Sequence, residues 1–267
     1  ISLSPTDVAG GLARLTSGLS KQAATLPNVI REVMKASKKA KKDPNYVSVF
    51  QAPHSILNEP ITSSRRFAAQ SYSMTRIKTI AKAFGVTLND VVLAMCSSAL
   101  RDYLISQNAL PDQPLIAMVP MSLRQDDSDS GNQIAVLLAN LGTHIADPTN
   151  RMRVIKASVE EAKQRFKGMS PEEILNYTAL TLAPTGVTLL TGLAPKWQAF
   201  NVVISNVPGP KDPLYWNGAH LQGMYPVSIV LDRIALNITV TSYVDSLEFG
   251  LIGCRRTLPS MQRLLEY

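Results

Sequence analysis

From Thr87 to about Ile105 the chain places Leu88, Val91, Val92, Met95, Cys96, Ala99, Leu100, Tyr103 and Leu104 at steps of three and four. That spacing predicts a helix with one long apolar stripe, and such a stripe has to be buried. Thr87 is placed to cap it, and Asp90 stands at the third helical position, which makes a variant of the capping box. A layer must therefore lie against this helix.

The rest of the pattern supplies candidates for that layer. Arg66 to Met74, Leu115 to Val119, Gln133 to His144, Asn201 to Val207, Gln222 to Leu231, Ala235 to Tyr243 and Leu247 to Gly253 read as strands, the last two joined by a tight turn at Val244-Asp245-Ser246. Between them lie helices. Thr75 to Phe84 ends at Gly85, and Asp147-Pro148 opens a helix whose Met152, Ile155, Val159, Ala162 and Phe166 repeat every three or four residues until Gly168. Ser170-Pro171-Glu172-Glu173 combines cap, helical proline and capping glutamate, and Leu258 to Tyr267 reads as a last helix. Helices interleaved with strands, including an adjacent hairpin, predict an α/β chain: a mixed sheet covered by helices. The division expected is a helical segment and connector over residues 1–62 and an α/β domain over residues 63–267.

The chain has 267 residues, 45 % hydrophobic and 18 % charged, which excludes disorder. Two cysteines, Cys96 and Cys254, make no disulfide framework and no zinc signature, so no metal is expected and both thiols read as packing residues with high pKa. A cytoplasmic setting follows. The chain starts at Ile1 without a signal-peptide pattern and reads as a piece of something longer.

The net charge of +7 is concentrated. Arg31, Lys35, Lys38, Lys39, Lys41 and Lys42 stand against Glu32 alone, and no recognition motif or aromatic stacking set accompanies them, so nucleic acid is not the expected partner. The run is either a solvated helix end or a contact for the phosphate of an anionic membrane or a coenzyme. Val29, Ile30, Val33 and Met34 precede it as a short apolar face. Asn176 to Pro195 holds no charge in twenty residues, yet five threonines, two glycines and the internal Pro184 argue against a membrane span and predict a broken or kinked helix. Leu182, Gly186, Val187 and Leu190 fall there at helical steps, either lining an apolar tunnel or packing in a core.

Catalytic signals are sparse. His54, His144 and His220 have Asn58, Pro148 and Met224 four residues on, so none carries an obvious orienting carboxylate, and there is no phosphate loop.

Longer strings carry more. Leu57-Asn58, Arg65-Arg66-Phe67-Ala68, Val86-Thr87-Leu88-Asn89-Asp90-Val91-Val92, Ser205-Asn206-Val207-Pro208-Gly209-Pro210 with Leu214-Tyr215-Trp216-Asn217-Gly218, and Phe249-Gly250-Leu251 occur in this order. Together they resemble the C-terminal half of the bacterial wax ester synthase/acyl-CoA:diacylglycerol acyltransferase family, most nearly its Marinobacter type. The resemblance implies a chloramphenicol-acetyltransferase-like fold in which two α/β domains enclose a tunnel. It implies acyl-CoA as co-substrate, no bound cofactor, and a fatty alcohol or diacylglycerol as acceptor. The family's histidine pair followed by Asp-Gly is absent here, so the N-terminal catalytic domain becomes the expected partner. Asn89 and Asp90 match a pair important for activity in the family, with helix capping as the competing role for Asp90. Ser205 and Asn206 end a strand that can face the active site. Peripheral attachment to the inner membrane face or to lipid inclusions is expected. The alternative is a non-catalytic module of the same fold that binds lipid or a protein partner.

Overall fold

A computed structural model of the chain describes residue 25, residues 27–39, residue 47 and residues 51–122, 134–191 and 198–267, the side chains of residues 122, 134, 184, 188 and 189 excepted. Its centre is a six-stranded mixed sheet. In chain order the strands are β1 (Arg65–Ser73), β2 (Ile116–Ser122), β3 (Ile134–Asn140), β4 (Val202–Val207), β7 (Leu236–Tyr243) and β8 (Ser246–Cys254), arranged β1-β8-β7-β4-β2-β3. β4 runs parallel to both its neighbours and the remaining pairs are antiparallel. A separate two-stranded ribbon joins β5 (Tyr215–Trp216) to β6 (Ala219–His220).

Helix α1 covers residues 27–39, and α2 (Met74–Phe84), α3 (Leu88–Ser106), α4 (Pro148–Lys167) and α5 (Pro171–Thr191) follow. The expected caps form. Thr87 Oγ1 accepts from the Asp90 amide while Asp90 Oδ2 accepts from the Thr87 amide, Asp147 caps α4, and Gly85 closes α2 in the left-handed conformation. The α3 stripe buries Val91, Val92, Cys96, Leu100, Tyr103 and Leu104.

Alternation along the paired strands separates two sheet faces. Ile204, Ile238, Val240, Phe249 and Leu251 are buried in the apolar core, and Ile238, Phe249 and Leu251 meet residues of α2 and α3 there. Ser71, Ser205, Thr239, Thr241 and Glu248 alternate with them onto the other, more polar face. At the β3 edge, Thr178 of α5 and Ser158 of α4 accept from the Val136 and Asn140 amides. Hydroxyls thus occupy donors that an edge strand would otherwise offer to another chain.

The connector is bound into the domain rather than hanging from it. Asn58 and Asn201 are fully buried, and Asn201 Nδ2 donates to Asn58 Oδ1 at 2.8 Å and to the Pro53 carbonyl at 2.7 Å while its Oδ1 accepts from the Ile116 amide. Asn58 in turn donates to the Arg233 carbonyl at 3.0 Å.

Four expectations change. α5 runs unbroken through Pro184, because the proline removes only one amide donor from a 21-residue helix, and Thr181 and Thr191 hide their hydroxyls on the carbonyls of Tyr177 and Val187. No single helix among the described residues is long and apolar enough to cross a membrane. Residues 222–230 join no ladder and Leu231 makes only an isolated bridge to Ile234, so the segment lies across the polar face as a strap instead of entering the sheet. The last helix shortens to a 3-10 turn over Met261–Leu265, whose N-cap Ser260 is left-handed and gives no side-chain cap. On α1, Val29 is 1 % exposed and Ala36 is buried, but Ile30 is 53 % exposed and Met34 also faces out, so half of the expected apolar strip belongs to the core.

Candidate functional site

The start of α3 holds the family pair. Asp90 is buried, and its Oδ2 accepts from both the amide and the hydroxyl of Thr87 at 2.8 and 2.7 Å. Its other oxygen, Oδ1, is buried without a hydrogen-bond partner among the described residues, and Asn89 beside it is half-exposed. The capping role is therefore present, with one acceptor left over. Asp90→Ala is expected to lower stability by about 1 kcal/mol, the cost of a lost cap, while Asp90→Asn keeps an oxygen for the Thr87 amide and retains most of it. Thermal denaturation of the two variants checks this.

At the end of β4, Ser205 and Asn206 are half-buried, and neither side chain has a hydrogen-bond partner among the described residues. Ser205 pairs with Thr239 and shares its face with the strap. Pro208-Gly209-Pro210 then turns the chain away. The Gly209 amide donates to Ser242 Oγ, and a Cβ on Gly209 would lie 2.0 Å from the Ser242 carbonyl oxygen, so only glycine permits this approach.

An apolar cavity lies elsewhere. It measures about 500 Å³ and is walled by apolar residues including Ile80, Phe84, Met95, Phe249 and Leu265 between α2, α3 and the 3-10 turn. None of Leu182, Gly186, Val187 and Leu190 is among its walls. Leu182 packs against the core, Gly186 has open space where a Cβ would stand, Val187 is exposed and Leu190 is 88 % exposed.

The histidines do not converge. His54 Nε2 lies 3.4 Å from Glu59 Oε1, a carboxylate five residues on that the four-residue spacing overlooks, but both side chains are largely exposed on the connector. His144 is held below its ordinary pKa by desolvation and then by Arg101. His220 stacks beside Tyr215 on the exposed ribbon and bonds Gln222. None is set in a cavity, which a general base requires. Among the described residues no cluster of three metal-ligating side chains occurs.

The cysteines part company. Burial pushes the Cys96 thiol up to about 12, as a packing residue requires. Cys254 is also buried, which by itself raises a thiol, but hydrogen bonds from Thr257 and Thr62 outweigh this and bring it down to about 6. The expected high value fails there because a sequence does not show which hydroxyls will surround a strand end.

In the basic cluster, Lys35 pairs with Glu32 at 2.6 Å and Lys39 with Glu161, while Lys38 is exposed with no ion pair among the described residues. Lys41 and Lys42 lie outside the described residues.

A mixed sheet with helices packed on its apolar face, and a polar strand end beneath a strap on the other, is the chloramphenicol-acetyltransferase-like α/β fold. The same fold occurs in the starter condensation domain of rhizomide synthetase, solved with C8-CoA, at a TM-score of 0.53 and 12 % identity over 96 % of this chain and 54 % of that one. The chain belongs to the wax ester synthase/diacylglycerol acyltransferase family. The model of the family's C-terminal domain matches residues 130–267 and that of its catalytic domain residues 3–92. The O-acyltransferase WSD of Acinetobacter baylyi is 56 % identical over 97 % of this chain and 57 % of its own length. The solved wax ester synthase/diacylglycerol acyltransferase of Marinobacter aquaeolei VT8 superposes with a TM-score of 0.74 at 56 % identity, covering 90 % of this chain and 53 % of that one. The chain thus spans little more than half the length of these relatives.

Proposed function

We propose that this chain is the C-terminal half of an acyl-CoA-dependent O-acyltransferase that makes wax esters from fatty alcohols and triacylglycerol from diacylglycerol. The observation that carries the reading is the lack of any histidine set in a cavity among the described residues, in a chain whose acyltransferase relatives are nearly twice as long. The general base then comes from the N-terminal half, where the second histidine of a pair followed after three residues by Asp-Gly removes the acceptor's hydroxyl proton as its oxygen attacks the thioester carbonyl. The carbonyl oxygen gains negative charge in that step. The candidate donors to it are Ser205, on the polar face beneath the strap, and Asn206, next along β4 on the other face, neither with a side-chain hydrogen-bond partner among the described residues. Val187 and Leu190, apolar and exposed, together with Leu182 and the open space at Gly186, form a wall for the acceptor chain. The enzyme works in the cytoplasm against the inner membrane face or lipid inclusions, where its insoluble substrates and products reside. Lys35, Lys38, Lys39, Lys41 and Lys42 meet the anionic lipid there.

Acyl transfer by the full-length protein, from a long-chain acyl-CoA to a fatty alcohol and to diacylglycerol, tests the reading. Transfer to both acceptors is expected, and Ser205→Ala or Asn206→Ala lowers turnover by about a hundredfold at whichever donor reaches the oxyanion. No transfer to either acceptor overturns it in favour of a non-catalytic module. For the lysines, sedimentation with anionic and neutral vesicles at low and high salt is expected to show charge-dependent binding that weakens when Lys38, Lys39, Lys41 and Lys42 become Gln. Equal binding by both proteins leaves the run a solvated face.

A further inference from the structure

Between Val207 and Ile229 the surface is unusually apolar for an exposed region. Val207, Leu214, Tyr215, Trp216, Tyr225, Val227 and Ile229 are all exposed, with Val227 at 66 % and Ile229 at 72 %. An apolar row of this extent marks a surface that something covers.

The strap that presents this row is held rigidly from below. Ser71 Oγ donates to the buried Glu248 carboxylate at 2.5 Å and meets the Tyr225 hydroxyl at 2.9 Å; Ser228 and Thr239 share a hydrogen bond of 2.5 Å, and Asn237 Nδ2 donates to the Ile229 carbonyl at 3.0 Å. Gly250 lies so close beneath that a Cβ there would stand 1.8 Å from the Pro226 carbonyl oxygen. Every second side chain is thereby turned outward. Among the described residues, no amide of residues 222–230 donates a hydrogen bond, so an extended backbone with unused donors accompanies the apolar row. A preordered strip loses little entropy on docking.

We propose that the row Tyr225, Val227 and Ile229, with Val207 at the end of β4, is the surface on which the N-terminal half of the same protein docks. This rests on the reading of the chain as half an acyltransferase. Three observations select that occupant. The relatives carry nearly as much chain again, the Marinobacter structure being matched over 53 % of its length. Val207 directly follows Ser205 and Asn206, so a domain seated here meets the strand end that faces the reaction. Residues 221–232 hold no Lys or Arg, which leaves an anionic bilayer nothing to attract.

Hydrogen exchange tests the surface. In the full-length protein the amides of residues 222–230 are expected to exchange at least tenfold more slowly than in the 267-residue chain. The full-length Val227→Asp, Ile229→Asp double variant is expected to lose that protection while β7 and β8 stay protected, which shows that the lobe is still folded. Equal exchange in full-length protein and chain overturns the proposal. So does self-association of the 267-residue chain that the double variant abolishes, since the occupant is then a second copy. Acyl transfer by the wild-type full-length protein is measured in parallel: protection without transfer leaves the docking surface standing and removes the enzymatic reading, and transfer without protection does the reverse.

Discussion

Asn201→Ala is expected to destabilise the chain by on the order of 4 kcal/mol, because one truncation strands several buried partners at once. The Ile116 amide, the Pro53 carbonyl and Asn58 Oδ1 all bond to the Asn201 side chain, which is itself fully buried. Each unsatisfied buried group costs about 1–3 kcal/mol, and Ile116 and Asn58 are both buried. That is a large share of the stability of an ordinary domain. Denaturant midpoints measure the loss. The double variant Asn58→Ala, Asn201→Ala is expected to lose less than the sum of the single ones, since the Asn58–Asn201 bond is counted in both. Additive losses contradict a shared network.

Gly250→Ala is the second large effect. The new methyl carbon would meet the Pro226 carbonyl oxygen at 1.8 Å, against backbone rather than a movable side-chain tip, so the strap or β8 has to yield. Overpacking of this kind costs roughly 1–3 kcal/mol. The pins from Ser71 to Tyr225 and from Thr239 to Ser228 are expected to break with it, because they hold the same segment. A lowered denaturation midpoint together with altered tyrosine resonances for Tyr225 is the outcome expected, and an unchanged midpoint with an intact Tyr225 environment excludes the close approach.

Local signals were readable where a single element determines its own structure. The α3 stripe, the Thr87–Asp90 capping box, the Asp147-Pro148 start and the hairpin between β7 and β8 all appear as expected, because periodicity, capping and turn chemistry act within a few residues. The ribbon of β5 and β6 also had a signal, Asn217-Gly218 with both residues at positive φ, the pair favoured in two-residue hairpin turns, and it was overlooked. The strap differs from a strand for a different reason. Tyr225, Val227 and Ile229 alternate like a strand, but alternation shows only that one side faces apolar surroundings and says nothing about whether a ladder partner exists. No local pattern points to the Asn58–Asn201 pair, whose partners lie 85 to 175 residues apart. On α1, Val29 turns inward and Ile30 outward because the tertiary contact selects one side of a helix whose apolar residues fit either. The candidate site was legible only through the family strings; composition and histidine spacing said what was missing, not what Ser205, Asn206 or Asp90 would face.

We propose that the acyl-transfer base lies outside these 267 residues. The most direct measurement is acyl transfer from a long-chain acyl-CoA to a fatty alcohol by the purified chain, with the full-length protein assayed beside it. Turnover is expected for the full-length protein and none above the uncatalysed rate for the chain, because His54 is solvated on the connector, His220 is exposed on the ribbon and His144 lacks a carboxylate partner among the described residues. Turnover by the chain alone that disappears when His54, His144 or His220 is changed to Ala would contradict it.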